Sequence, residues 1–149
     1  MTRAALIGCG RISVKHIEAF VNNAASMRLE ASCDPLVERT AARAAEYQKN
    51  VPGSGVRTYA DYRTMLAELK PDLVTIAAES GKHKDIALDC LSAGCHVICE
   101  KPMALSTADA DAMIAAAKKA GKKLAVCFQN RFNAPVQKLR AALEAGRFG

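Results

Sequence analysis

The chain has 149 residues, half of them hydrophobic and only 5% aromatic, with a formal net charge of +6, which suits one domain with a buried core. No segment approaches the ~20 apolar residues of a membrane span, and the start, Met1-Thr2-Arg3 running into Ala4 to Ile7, lacks the apolar stretch and cleavage site of a secretory leader, so a cytoplasmic protein with no membrane partner is expected. The basic balance has no nucleic-acid recognition motif beside it, and its densest run, Lys118-Lys119 with Lys122-Lys123, brackets Gly121 at a helix end, where cations complement the macrodipole; no nucleic-acid partner is expected.

In chain order, Ala4 to Ile7 is the first short apolar run, as expected of a strand buried in a parallel sheet. Gly8-Cys9-Gly10-Arg11-Ile12-Ser13 follows at once and opens a helix carrying Ile17, Phe20 and Val21. A second run, Leu29 to Cys33, ends on Asp34-Pro35, and Pro52-Gly53-Ser54-Gly55 is a loop. Asp61 stands where an N-cap belongs, before Tyr62, Met65, Leu66 and Leu69 at one-faced helical spacing. Leu73 to Ala78 is the next strand, followed by a helix burying Ile86, Ala87, Cys90 and Leu91 that stops near Gly94. His96 to Cys99 is a strand ending on Glu100-Lys101-Pro102. Ser106 with Asp109 makes a capping box for the helix of Ala110, Met113, Ile114 and Ala117, which Gly121 ends. Leu124 to Phe128 is the last strand, and a helix carrying Val136, Leu139 and Leu143 runs into Gly146-Arg147-Phe148-Gly149, which reads as an entry into something further.

Strand and helix alternating this regularly specify βαβ units with right-handed crossovers. The expected fold is α/β, a doubly wound parallel sheet of the Rossmann type, as one domain over residues 1–149. Ligands in such sheets bind beyond the C-terminal strand ends. The six cysteines, Cys9, Cys33, Cys90, Cys95, Cys99 and Cys127, show no CxxC and no paired histidine spacing. They read as reduced, buried small side chains, with no metal site expected. Met65, Met103 and Met113 read as packing.

The G-x-G-x-x-S segment is a weak signal alone but a specific one between a strand and a helix. Gly8 permits the tight turn, Gly10 lets a pyrophosphate approach the backbone, and the helix N-terminus offers free amide donors. Ser13 stands where a third glycine would allow close helix packing. Asp34 closes the second strand 26 positions after Gly8, where an acid accepts hydrogen bonds from the adenosine ribose hydroxyls, which favours NAD. Arg39 and Arg43 are near enough to keep a 2′-phosphate open, and Asp34 could instead cap the helix after Pro35. Glu100-Lys101 is a charged pair directly after an apolar strand. A partly enclosed lysine there can serve as acid or base for a substrate hydroxyl, and the bland alternative is a surface turn. The proline after it fixes the turn and admits a cis bond.

These segments, with Cys33-Asp34-Pro35, Ser80-Gly81-Lys82-His83 and Gln129-Asn130-Arg131-Phe132-Asn133 in this order, resemble the glucose-fructose oxidoreductase, inositol dehydrogenase and rhizopine catabolism (Gfo/Idh/MocA) family over essentially the whole chain. The Glu-Lys-Pro element is the most specific part of the match. Gly8 to Ser13 with His16, and Gln129 to Asn133, look most like dehydrogenases of nucleotide-linked amino-sugar acids, such as UDP-N-acetylglucosaminuronate 3-dehydrogenase. The resemblance implies NAD as cofactor, a sugar or sugar-nucleotide substrate, and Lys101 exchanging a proton with the substrate hydroxyl. It implies cofactor contacts from Gly8, Gly10, Arg11, Ile12, Asp34, Ser80, His83, Glu100, Lys101, Gln129 and Arg131.

His83 could instead simply begin its helix, and Arg131 could hold a loop together. His16 and His96 are read as structural. Two departures stand out. Glu79 occupies a position where the family usually has proline, placing a carboxylate near the cofactor. The antiparallel substrate domain that the family adds, with its remaining catalytic residues and subunit contacts, is not expected within these 149 residues, and a homo-oligomer is expected of the full-length protein. A non-catalytic dinucleotide sensor is the rival reading, against which Glu100-Lys101-Pro102 speaks, since a sensor has no use for a proton shuttle.

Overall fold

Apolar runs of four to six residues joined by one-faced helices bury both sheet surfaces only if the crossovers distribute helices to the two sides. The computed structural model, which describes residues 1–148, shows that arrangement; Gly149, the end of the last segment considered above, lies outside the described residues. Six parallel strands form one sheet: β1 (Thr2–Ile7), β2 (Met27–Cys33), β3 (Arg57–Tyr59), β4 (Leu73–Ile76), β5 (His96–Cys99) and β6 (Leu124–Val126). Their spatial order is β3-β2-β1-β4-β5-β6. The helices are α1 (Ser13–Asn22), α2 (Val37–Asn50), α3 (Tyr62–Leu69), α4 (His83–Ser92), α5 (Thr107–Ala120) and α6 (Ala134–Glu144).

Alternate residues of β1 show how the layers divide. Ala4 and Leu6 pack with Ile17 and Phe20 of α1 and Tyr47 of α2. Ala5 and Ile7 face the other way, into a cluster with Met65 of α3, Leu91 of α4 and Met113 of α5. All six cysteines are free; five are buried and Cys127 is half-buried. Burial pushes the Cys9, Cys33 and Cys99 thiols up to about 12, which disfavours the thiolate form.

The short edge strand β3 has no counterpart among the expected runs. It is polar and only half-buried at Tyr59, so it carries no hydrophobic signal and is held by pairing with Ala31 to Cys33. Two strands end two residues earlier than their apolar runs, at Ile76 and Val126, although the Ala77 amide still donates to the Ile7 carbonyl at 2.7 Å. Asp61 caps α3 as expected, accepting from the Thr64 amide at 2.9 Å. The capping box at α5 forms only in part. Ser106 Oγ accepts from the Asp109 amide at 3.1 Å and donates to Asp109 Oδ2 at 2.8 Å, so the carboxylate bonds the Ser106 hydroxyl. No helix among the described residues is long and apolar enough to cross a membrane.

Candidate dinucleotide site

Strand β1 lies between β2 and β4, so successive crossovers leave it in opposite directions. The strand ends at such a switch point leave a crevice. A cleft of about 730 Å³ opens there, lined by Gly8, Gly10, Asp34, Arg39, Glu79 and Lys82 among others.

Gly8 has φ of +90°, and a Cβ there would lie 2.4 Å from the Ala78 amide nitrogen. Its glycine character is therefore demanded twice, by the turn and by contact with the end of β4. A Cβ on Gly10 would meet nothing within 4 Å, so the space above it is open toward the cleft. Ser13, fully buried, fills the third glycine position without conflict because its hydroxyl donates to the Gly10 carbonyl at 2.5 Å. Arg11 and Ile12 are exposed, and α1 begins without a side-chain cap. The first amides of a helix have no intrahelical acceptor, so this terminus keeps its donors for an anion.

Asp34 is buried, with Oδ2 accepting from the Cys9 amide at 2.8 Å and Oδ1 from the Leu36 amide at 2.9 Å. Its side chain is not the cap of α2, which begins at Val37 with Leu36 as N-cap. A carboxylate has about four acceptor positions, so two remain after these bonds. The acid is held against the glycine turn and can still accept a ribose diol.

Glu79 does not clash with this use: its side chain is exposed and pairs with Lys82 at 3.6 Å. Ser80 opens a single helical turn, Ser80–Lys82, before α4. His83 differs from its expected role in touching the cofactor. It is 1% exposed, with Nδ1 at 2.8 Å from the Pro102 carbonyl and Nε2 at 3.0 Å from the Ala78 carbonyl. The ring bridges the end of β4 to the turn after β5, leaving no surface for a ligand, so it positions those segments.

The Lys101–Pro102 peptide is cis. Lys101 is exposed, and the partial enclosure anticipated for it is not provided by the described residues. Glu100, by contrast, is buried, with Oε2 accepting from the Lys101 amide and Oε1 facing His16 Nε2, both at 3.2 Å. Both carboxylate oxygens are engaged inside the protein, so the side chain turns inward, away from the dinucleotide cleft. Gln129 and Arg131 are exposed. Arg131 lines a separate concavity with Phe128, Phe132, Val136 and Arg140. The structure thus gathers Gly8, Gly10 and Asp34 at one cleft, and leaves Lys101, Gln129 and Arg131 on open surface. The sequence reading did not single out Lys82 as a residue of the cleft, because one lysine in a loop carries no pattern.

The chain from residue 2 to 128 matches the family model described as the oxidoreductase family with an NAD-binding Rossmann fold. The chain belongs to this family. It is similar to D-glucoside 3-dehydrogenase of Escherichia coli, 33% identical over 99% of this chain and 40% of that protein. It is also similar to the WlbA dehydrogenase of Bordetella pertussis, a structure in complex with NADH and UDP-GlcNAcA. That match has 38% identity and a TM-score of 0.90 over 99% of this chain and 43% of that one. Myo-inositol 2-dehydrogenase of Thermotoga maritima is 31% identical over 99% of this chain and 42% of its own length. The chain therefore spans about two fifths of these relatives.

Proposed function

We propose that residues 1–149 are the cofactor-binding part of an NAD-dependent oxidoreductase acting on a secondary hydroxyl of a sugar or sugar nucleotide. The observation that carries this reading is the cleft at the switch point, where an open glycine turn meets a fixed acid with acceptor capacity to spare. The residues present suit a dinucleotide. Amides from Gly10 to Ile12 would hold the pyrophosphate, Asp34 would accept from the adenosine ribose, and Arg39 and Lys82 would offset phosphate charge. NAD, when bound, supplies the hydride acceptor. Lys101, one strand further along the same sheet edge, would take the hydroxyl proton. The names of the relatives support a sugar or sugar-nucleotide substrate, and the nucleotide-linked amino-sugar acid is the finer choice, supported by the match to WlbA. In a protein extended by the remaining length of such relatives, Lys101→Met is expected to lower kcat by ~10²–10⁴-fold, the usual effect of removing a general acid or base. NAD affinity should stay nearly intact. Near-normal turnover in that variant would reduce Lys101 to a turn residue.

A further inference from the structure

Three side chains outside the cleft meet behind Lys101. His16 is the fourth residue of α1, Glu100 follows the end of β5 and Cys127 lies just beyond β6. One ligating atom from each lies within 4.8 Å of the others. His16 and Glu100 are both buried, and their contact joins residues 84 positions apart in sequence. A buried carboxylate is costly unless donors satisfy it, and Glu100 has one on each oxygen: His16 Nε2 and its neighbour's amide, Lys101 N.

The placement of this contact gives it a consequence. Helix α1 is the helix whose N-terminus borders the open glycine turn, and the Lys101 amide belongs to the residue assigned the proton transfer. One carboxylate therefore ties the pyrophosphate end of the site to its proton-transfer end. Burial holds His16 below its ordinary pKa, a shift that Glu100 opposes, so at neutral pH the ring is neutral. Its Nε2–H then donates to Glu100, provided the proton sits on that nitrogen.

We propose that His16 is a positioning residue, fixing Glu100 and through it the Lys101 backbone relative to α1. The proposal rests on the dehydrogenase reading for its kinetic consequence and on geometry alone for the brace. His16→Phe keeps a flat ring but removes the donor, whereas His16→Gln keeps a donor. In the extended, active protein, His16→Phe is expected to lower kcat about 10- to 100-fold, the penalty of a small misplacement of a reacting group. KM for NAD should stay within about twofold, and His16→Gln should recover most of the loss. In the 149-residue chain itself, amide hydrogen exchange at Lys101 should speed up about three- to tenfold in His16→Phe and not in His16→Gln, the range that losing one net hydrogen bond implies. Unchanged kcat together with unchanged Lys101 exchange in His16→Phe would overturn the brace. So would a parallel loss of kcat and NAD affinity without rescue by glutamine. Stoichiometric zinc in the purified chain, lost in Cys127→Ser, would replace the brace by a metal site. If the extended wild-type protein turns over no sugar, the dehydrogenase reading fails, and the exchange measurement still decides the brace.

Discussion

Asp34 is the residue whose structure most sharpens its sequence reading. The spacing from the glycine turn placed it as a ribose acceptor or a cap of α2, and the cap is not what it does. Its carboxylate bonds the Cys9 and Leu36 amides, so it both shapes the turn and presents its remaining acceptor positions to the cleft. A 2′-phosphate in that place would meet a like charge, and NAD should bind the chain at least about tenfold more tightly than NADP, since hydrogen bonds to a charged group are worth ~1.5–3 kcal/mol. Asp34→Ser loosens the turn and lowers both affinities, but the ratio between them should fall toward one. Calorimetric titration of both cofactors measures it; equal affinities in the unmodified chain would remove Asp34 from ribose recognition. Glu100 and His83 teach the opposite lesson. Their motif positions were legible, but not their direction, because only the folded chain shows that Glu100 turns inward to His16 and that both His83 ring nitrogens face backbone carbonyls.

At the scale of elements, helices and central strands were legible because each bears an apolar face or run with punctuation at its ends. Strand β3 was not, since Arg57-Thr58-Tyr59 is specified by its pairing with β2 and not by burial of its own. Caps lie between these cases. Asp61 is read correctly because the local rule suffices, with its carboxylate accepting from both the amide and the hydroxyl of Thr64 at 2.9 Å. Those bonds, the amide's first, hold its pKa below the ordinary 3.8. A depressed carboxylate stabilises the folded state above its unfolded pKa, and the contribution is lost as pH falls from about 3.8 through the lower folded value. Asp61→Ala should therefore cost about 1 kcal/mol at pH 7, as loss of an N-cap does, and lower Tm by about 2–4 °C in a domain of this size. The difference from the unmodified chain should shrink as the buffer is taken below pH 3.8. A Tm gap that stays constant down to that range would mean the ionised carboxylate is not the source of the capping.

At the scale of the whole molecule, Gly8, Gly10 and Asp34 are gathered at one cleft, while Lys101, Gln129 and Arg131, also expected as cofactor contacts, face open surface. Phe128 (49%), Phe132 (81%) and Val136 of α6 (39%) line one concavity while exposed. Apolar side chains concentrated in one such region mark a surface suited to contact, and the relatives carry more than half their length outside the matched part. The 149-residue chain should accordingly bind NAD, since the glycine turn, the uncapped start of α1 and Asp34 are all in place. It should not oxidise sugars. Orienting a hydroxyl carbon against the nicotinamide can supply ~7–11 kcal/mol of barrier lowering, and that requires walls on the substrate side which the exposed Lys101 does not have. An absorbance assay at high protein concentration, run over a panel of sugars and sugar nucleotides beside a direct NAD titration, separates the two halves of the expectation. NADH formation by the chain alone would mean that its own residues complete the reaction site, and failure to bind NAD would remove the dinucleotide from the cleft between β1 and β4 altogether.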